Sequence, residues 1–293
     1  MIRDYIDLTK PRITWLILMS TAVGYFFGLP AAHTWLEFLR NIPPMGLLHT
    51  ILGTGLIASG TAALNQWYER AADRKMRRTA DRPLPAGRLT SGRALAFGIA
   101  LSVAGFAELW LAVNPLSAVI GLFTLASYLF LYTPMKMRTW WSTTVGAIPG
   151  AMPPVIGFAA AAGTLTKESL VLFAILFLWQ FPHFYSIAWM YREDYARAGI
   201  RMLPVVEPDG RSTARQIVLY GIALIPVSLA PSLLGMAGSI YLVGALILGL
   251  WFLYSGVRVA LERSLVRARA VLITSVLYLP LIYGLLVLDR PGL

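Results

Sequence analysis

Long apolar runs separated by short polar segments dominate the chain, and nine of these runs have the length of a membrane-spanning helix. A helix needs about 20 mostly apolar residues to cross the hydrocarbon core of a bilayer. Glycine and proline interrupt several runs, which membrane helices tolerate where neighbouring groups satisfy the freed backbone. The pattern predicts nine transmembrane helices, with approximate bounds 13–29, 46–67, 94–113, 115–133, 142–162, 169–190, 216–236, 238–257 and 270–288.

The composition supports the same interpretation. Of the 293 residues, 57% are hydrophobic and only 13% are charged, and the mean hydropathy is +0.66. A soluble domain of this length could not hide so much apolar surface. The longest polar stretches, 68–93 and 191–215, are too short for a separate soluble domain. We therefore expect an all-α multi-pass membrane protein that forms a single domain over residues 1–293.

The formal net charge of +11 could indicate nucleic-acid binding, but its distribution indicates membrane topology. If the N-terminus is cytoplasmic, the loops on that side hold 22 of the 25 Lys and Arg residues. This bias predicts an N-inside orientation in the cytoplasmic (inner) membrane, with the bilayer and no nucleic acid as a partner. The chain has no cysteine, which excludes disulfides and thiolate sites.

Three oxygen-bearing side chains share one side of the segment that leaves the second predicted helix. Asn65, Glu69 and Asp73 are spaced four residues apart, so on a continuing helix their directions drift by only about 80° in total. Amide and carboxylate oxygens suit a hard divalent cation such as Mg²⁺, which shares its coordination shell with waters and substrate phosphates. Asn65 also lies just inside a predicted span, where a polar side chain is a functional candidate.

Basic residues alternate with these acids and continue after them. Guanidinium groups bind phosphate oxygens in a bidentate manner, so the combination fits a metal-bridged diphosphate. The alternative is an exposed helix end with ordinary ion pairs and topology-setting arginines, and the spacing alone does not separate the two. The basic residues are Arg70, Arg74, Lys75, Arg77, Arg78, Arg82 and Arg88.

A second polar group follows the sixth predicted helix, with Glu193 and Asp194 as its acids. These acids could hold a second Mg²⁺, although adjacent residues face different sides of a helix. His183 is the histidine near them, and a packed, hydrogen-bonded histidine is the alternative to a functional one. Lys136 and Arg138 reach the same predicted face, either as membrane anchors or as phosphate ligands.

The motifs of the chain resemble those of the intramembrane aromatic prenyltransferase superfamily, and in particular its haem-directed branch. The likeness extends over essentially the whole chain. The motifs that carry it are Lys10-Pro11-Arg12, Asn65-x3-Glu69-x3-Asp73, Met76-Arg77-Arg78-Thr79, Arg82-Pro83-Leu84-Pro85, Pro182-His183-Phe184 and Asp194-Tyr195-x2-Ala198-Gly199-Ile200-x-Met202-Leu203-Pro204.

The resemblance implies nine helices around a central cavity and a reaction between farnesyl diphosphate and haem B. Diphosphate ionisation, assisted by Mg²⁺, would give an allylic cation that the haem vinyl group attacks, and water would trap the product as the hydroxyethylfarnesyl group of haem O. Haem B would be a substrate and Mg²⁺ the cofactor. The implied roles are metal binding and catalysis by Asn65, Glu69, Asp73 and Asp194, diphosphate binding by Arg78, Arg82, Lys136 and Arg138, and haem binding by His183.

Two departures from the superfamily pattern bear on the acceptor. Glu69 stands where the first motif usually has aspartate, and the positions four residues from Asp194 are Met190 and Ala198, whereas the second motif commonly has two aspartates four apart. The haem-directed branch has a similar gap, which favours haem over a quinone or chlorophyll precursor and leaves the number of Mg²⁺ ions open. Hand-off of the product to a haem-modifying enzyme or to terminal-oxidase assembly is a further expectation. A transporter of an amphipathic anion is the alternative from another class, but transporters usually place polar groups near the bilayer midplane.

Overall fold

A computed structural model of the chain describes residues 2–30 and 43–291, and this part is helical with no strand. The helices in chain order are α1 Ile2–Leu8, α2 Pro11–Gly28, α3 Pro44–Asp73, α4 Ser91–Ala112, α5 Pro115–Ala126, α6 Thr133–Met135, α7 Ser142–Gly150, α8 Pro153–Ala162, α9 Lys167–Met190, α10 Arg192–Ala198, α11 Leu203–Val206, α12 Arg211–Leu233, α13 Ser239–Leu261 and α14 Leu265–Leu288. A π-helical segment, Ser127–Tyr132, joins α5 to α6.

The described residues separate into two compact units. Unit 1 contains residues 2–28, 43–164 and 193–202, and unit 2 contains residues 29–30, 165–192 and 203–291. In unit 1, α3 packs against α4 and α2 against α8; in unit 2, α9 packs against α12 and α14. The predictions of a single domain and of a central cavity stay predictions.

Eight helical stretches of the described part are long and apolar enough to cross a membrane, with mean hydropathies between 1.4 and 2.3, and two of the eight, Pro115–Met135 and Ser142–Ala162, join consecutive elements. They coincide with the second to ninth predicted spans and confirm a multi-pass, all-helical protein. The first predicted span coincides with α2, which is a helix of 18 residues but is not among the eight. Its sequence includes Arg12 and several hydroxyl-bearing side chains, which reduce its apolar character. The ninth span and the side of the N-terminus therefore stay predictions.

Glycines allow α3 and α4 to pack backbone against backbone. A Cβ atom added at Gly105 of α4 would lie 2.7 Å from the carbonyl oxygen of Gly53 on α3, and one added at Gly60 would lie 2.8 Å from that of Gly98. Small residues at such spacing are the usual means of close helix approach in membranes. This contact fixes the position of α3, which carries the first predicted polar motif.

The helix α3 is longer than the hydrocarbon core of a bilayer is thick. Its 30 residues correspond to about 45 Å at 1.5 Å per residue, whereas the hydrocarbon core of a bilayer is about 30 Å thick. The segment that follows, 74–90, folds back onto unit 1 through a small apolar cluster, whose buried members are Leu8, Ala63, Leu84, Leu89 and Ala94. The end of α3 is therefore covered by ordered chain.

Candidate functional site

The helix α3 continues without interruption through Asp73, so the oxygen-bearing side chains of Asn65, Glu69 and Asp73 lie along one side of it and form the α3 stripe. Asn65 and Asp73 are each only 1% exposed, and the Glu69 side chain is 14% exposed. Burial of an amide and two carboxylates costs free energy unless each has a partner. The partners of the stripe are therefore part of the site.

Each member of the stripe holds one basic side chain, and the three basic residues come from three different segments of unit 1. Lys10 Nζ donates to Asn65 Oδ1 at 3.0 Å, Lys136 Nζ donates to Glu69 Oε1 at 2.8 Å, and Arg82 Nη1 donates to Asp73 Oδ2 at 2.8 Å. The structure thus brings five predicted residues and Lys10 together, and cations alternate with oxygen ligands as a metal-bridged diphosphate requires.

Sequence reasoning did not include Lys10 among the site residues. It lies between α1 and α2 and is the described non-glycine residue with a positive φ, +50°, a conformation that L residues rarely adopt and that often marks functional positions. Burial and the neighbouring Arg82 guanidinium lower the pKa of Lys10 to about 7. Its sequence signal, a lysine directly before the first predicted span, is also that of an ordinary topology determinant.

One carboxylate oxygen of Asp73 has no protein partner. Oδ2 accepts from Arg82, whereas Oδ1 is buried and without a hydrogen bond in the described structure. A buried carboxylate oxygen without a partner is costly, and a bound cation would satisfy it. The oxygen donors of Asn65, Glu69 and Asp73 fit a hard cation that completes its shell with waters and phosphate oxygens. Within the described ranges no group of three or more His, Cys, Asp or Glu side chains is placed to hold a metal ion by itself.

Lys136 is positioned by neighbours on several sides. Its Nζ lies 4.3 Å from the ring centroid of Tyr132 and 6.0 Å from that of Tyr128, and its carbonyl accepts from the backbone N–H of Arg201 at 2.8 Å. Burial lowers the pKa of Lys136 and the Glu69 carboxylate raises it, with the result that the pKa lies well above its ordinary value. Lys136 is therefore held by Glu69, Tyr132 and Arg201, and its role as a phosphate ligand stays a prediction.

Thr133, the first residue of α6 and the one directly after the π-helical segment, also touches the stripe. Thr133 Oγ1 donates to the carbonyl of Tyr128 and accepts from Asn65 Nδ2 at 3.3 Å. Single π-helical turns are rare and are frequent at functional sites. No periodicity in the sequence indicated this turn, because the apolar pattern of 115–133 is also that of a regular helix.

Asp194 lies in unit 1, on α10, and holds the segment that follows α3. Its two carboxylate oxygens accept from the backbone N–H groups of Arg77 and Arg78, each at 3.3 Å, and it pairs with Arg197. A carboxylate has about four acceptor positions, so these contacts leave capacity for a further ligand. The structure thus joins Asp194 to the loop directly after Asp73, while Glu193 is exposed.

The remaining predicted residues are less tightly held or lie elsewhere. Arg78 and Arg138 have exposed side chains in unit 1. His183 belongs to unit 2, where its Nδ1 lies 2.8 Å from Ser275 Oγ. The structure brings the α3 stripe together with Arg82 and Lys136. Helical spacing carries the signal for the stripe and charge alternation that for Arg82, whereas Lys136 was a candidate only from its basic character and its predicted side of the membrane. The sequence could not identify the partner of His183, which is 92 residues away.

Comparison with known proteins identifies similar sequences and folds. A profile of the UbiA prenyltransferase family matches residues 17–280. The protoheme IX farnesyltransferase of Solibacter usitatus is 84% identical over 291 residues, which cover 99% of this chain and 100% of that protein. A solved structure described as digeranylgeranylglyceryl phosphate synthase superposes with a TM-score of 0.76 at 17% identity, covering 98% of each chain. A UbiA homologue from Archaeoglobus fulgidus bound to GPP and Mg²⁺ superposes with a TM-score of 0.65 at 17% identity, covering 97% of this chain and 99% of that one.

Proposed function

The chain belongs to the UbiA prenyltransferase family, and on that basis we propose that it transfers a farnesyl group from farnesyl diphosphate to the vinyl group of haem B, giving haem O. It is a membrane-embedded prenyltransferase, since eight described helices can span a bilayer. The farnesyl donor and the haem acceptor follow the name of the Solibacter usitatus relative, which is 84% identical over nearly the full length of both chains.

One observation carries the chemical part of the proposal. Three oxygen-bearing side chains on one face of α3 each hold a basic side chain from a different segment, and Asp73 retains a buried oxygen without a partner. A transporter of anions would need the basic residues but not the acidic stripe. A diphosphate-ionising enzyme needs both, because a cation and basic side chains together neutralise the leaving group.

We propose that Asn65, Glu69 and Asp73 bind Mg²⁺, with Asp194 as a direct or water-mediated ligand. The archaeal homologue bound to GPP and Mg²⁺ supports this choice of cation. When bound, Mg²⁺ would supply positive charge to the diphosphate oxygens and so make the carbon–oxygen bond easier to break. The free acceptor capacity of Asp194 and the partnerless Oδ1 of Asp73 are consistent with these roles.

The basic residues would bind the diphosphate directly, whereas the oxygen-bearing residues would bind the metal. Arg82 and Lys136 form ion pairs with Asp73 and Glu69, respectively. With diphosphate present, we propose that both turn their donors to phosphate oxygens, joined by the exposed Arg78 and Arg138. The Tyr132 and Tyr128 rings that contact Lys136 limit its movement to one side. The leaving group is thereby held by side chains that are already concentrated around the stripe.

The haem side of the proposal and the topology rest on different support. His183 is the proposed haem-binding residue. The enrichment of Lys and Arg in alternate loops supports nine spans with the N-terminus and the site loops on the cytoplasmic side of the cytoplasmic membrane. The product would pass to a haem-modifying enzyme or to oxidase assembly.

The acceptor assay tests the proposal. The full chain, purified in detergent, is incubated with farnesyl diphosphate and Mg²⁺ together with haem B, or with a quinone precursor, or with no acceptor. We expect mass spectrometry to find the hydroxyethylfarnesyl product only with haem B, together with release of pyrophosphate. Transfer to the quinone precursor but not to haem would refute the acceptor. No pyrophosphate release with any acceptor would refute the enzyme.

A further inference from the structure

His183 on α9 lies in a set of aromatic and hydroxyl contacts within unit 2. Its Nδ1 is 2.8 Å from Ser275 Oγ on α14, and its ring stacks on the Trp179 ring with centroids 4.8 Å apart and planes 20° apart. Trp179 Nε1 in turn donates to the backbone carbonyl of Ser275 at 2.9 Å. Two contacts to one residue of α14 thus determine both the position and the plane of the imidazole.

The two hydrogen bonds of the Ser275 hydroxyl identify which ring nitrogen of His183 carries the hydrogen. Ser275 Oγ also lies 2.6 Å from the carbonyl oxygen of Leu272, and a carbonyl can only accept, so the single hydroxyl hydrogen of Ser275 is used there. Nδ1 of His183 must therefore donate the hydrogen bond to Ser275 Oγ. In the neutral ring, the hydrogen on Nδ1 leaves Nε2 with a free lone pair.

Nε2 of His183 has no hydrogen-bond partner among the residues that the structure describes, and the ring is only partly buried. A histidine whose Nδ1–H is held by an oxygen and whose Nε2 is bare has the arrangement of a metal ligand, because the held N–H sets the tautomer and the ring orientation. His49, near the N-terminus of α3, has a charged partner instead, because its Nδ1 lies 2.6 Å from the Glu108 carboxylate.

The kind of metal follows from the neighbours of His183. Within residues 2–30 and 43–291, His183 belongs to no group of three or more His, Cys, Asp or Glu side chains that could hold a metal ion by themselves. A haem iron needs no such group, because the porphyrin supplies four nitrogens and a single histidine is a common axial ligand. The stacked Trp179 and the neutral hydroxyl of Ser275 also suit a large, planar and mostly apolar ligand.

We infer that His183 binds the iron of the acceptor haem through Nε2, and that Ser275 is the positioning residue that holds the ring in this tautomer. The inference rests on the proposed function, since it takes haem as the acceptor. It adds the mode of binding, namely axial ligation of the iron. Coordination at the iron would hold the porphyrin without using the vinyl group that reacts.

The first arm of the test examines the tautomer without haem. The chain has three histidines, so a His33→Gln/His49→Gln variant keeps His183 as the sole histidine. Ring ¹⁵N NMR of this variant in lipid should give a protonated Nδ1 and an unprotonated Nε2. A protonated Nε2 in the resting protein would overturn the inference, whatever the acceptor is.

The second arm examines ligation by haem titration, followed by absorption and resonance Raman spectra. The His33→Gln/His49→Gln variant should keep the histidine-ligated haem spectrum, and His183→Ala should lose it. Ser275→Ala should weaken haem binding about 10-fold, the lower end for loss of a partner that orients a metal-bound histidine, and Ser275→Thr should restore it. The matched control is Ser255→Ala, because Ser255 is a buried serine of unit 2 that bonds Thr274 instead.

The outcomes separate the inference from the proposed function. If haem is farnesylated but the spectrum of His183→Ala retains a histidine ligand, axial binding by His183 is wrong and the function stands. If the wild-type chain neither binds nor farnesylates haem, the acceptor itself is wrong and the inference fails with it. Loss of the ligand spectrum in His183→Ala, combined with its retention in the variant that has only His183, supports the inference even if Ser275→Ala is poorly folded.

Discussion

The two polar regions of this membrane protein are built from opposite chemistry. The α3 stripe in unit 1 consists of an amide and two carboxylates, each bonded to a lysine or arginine. The His183 region in unit 2 contains a neutral imidazole, a hydroxyl and an indole, bonded to each other and to backbone carbonyls. Both lie on long helices, α3 and α9, and both are largely withdrawn from water.

The difference teaches what each region can bind. A site made of opposite charges gains little by holding an apolar molecule, because its ion pairs would lose their partners. The charged region can instead bind a metal cation together with a diphosphate. The cation then replaces the basic partners of the carboxylates, and the diphosphate replaces the acidic partners of the basic side chains. The neutral His183 region has no ion pairs to exchange. It suits a ligand that forms one bond to the Nε2 lone pair of His183.

The largest expected effect comes from removing the carboxylate with the partnerless oxygen. Asp73→Ala should reduce turnover by about 10²- to 10³-fold, the usual effect of deleting one group that stabilises developing charge. Its fold should persist, because α3 is held by its packing on α4. Farnesyl transfer to haem, measured by product mass, checks the change. The control is Asp81→Ala, which removes an exposed acid of the same loop. If both variants kept full turnover, the stripe would have no catalytic role.

The next largest effect concerns the binding of farnesyl diphosphate, and it distinguishes the ion-paired Lys136 from the exposed Arg138. Lys136→Met should raise the KM for farnesyl diphosphate about 10- to 100-fold, since a charge-assisted hydrogen bond contributes about 1.5–3 kcal/mol. Arg138→Met, two residues on and exposed, should change the KM much less. Steady-state kinetics of the two variants side by side provides the measurement. An equal or larger effect of Arg138→Met would mean that the ion pair between Lys136 and Glu69 does not mark a diphosphate ligand.

The smallest expected effect is on haem when the charged region is disabled. Removing Mg²⁺ with a chelator, or introducing Asp73→Ala, should change haem affinity by less than about fivefold, the lower end of typical coupling between sites. The same treatments should stop pyrophosphate release. Haem titration by absorption spectroscopy provides the readout. A large loss of haem affinity on chelation would show that the two regions do not bind separately.

The charged region could largely be predicted from the sequence because its signals are local. Asn65, Glu69 and Asp73 lie on one helix, so their shared face follows from helical periodicity, and Arg82 follows nine residues after Asp73. Lys136 is 67 residues from Glu69, and only its basic character and its predicted side of the membrane placed it among the candidates. The eight confirmed spans were predictable for the same reason, because a long apolar run indicates a membrane helix without reference to the rest of the chain.

The rest depends on contacts that no local pattern records. Lys10 reaches Asn65 across 55 residues, from a position that also suits an ordinary topology signal. Asp194 was predicted as a metal ligand, but its bonds to the Arg77 and Arg78 backbone depend on how the chain folds back after α3. The tautomer of His183 depends on Ser275 and on the carbonyl of Leu272. None of these partners can be inferred from charge or spacing.

The central claim is that the α3 stripe binds a divalent cation together with diphosphate, and electron paramagnetic resonance of bound Mn²⁺ tests it most directly. The wild-type chain, Asp73→Ala and Asp81→Ala are titrated with Mn²⁺ in the presence and absence of an unreactive farnesyl diphosphate analogue. The account predicts tight Mn²⁺ binding by the wild type and Asp81→Ala only with the analogue present, and its loss in Asp73→Ala. Unchanged, analogue-dependent Mn²⁺ binding by Asp73→Ala would contradict it.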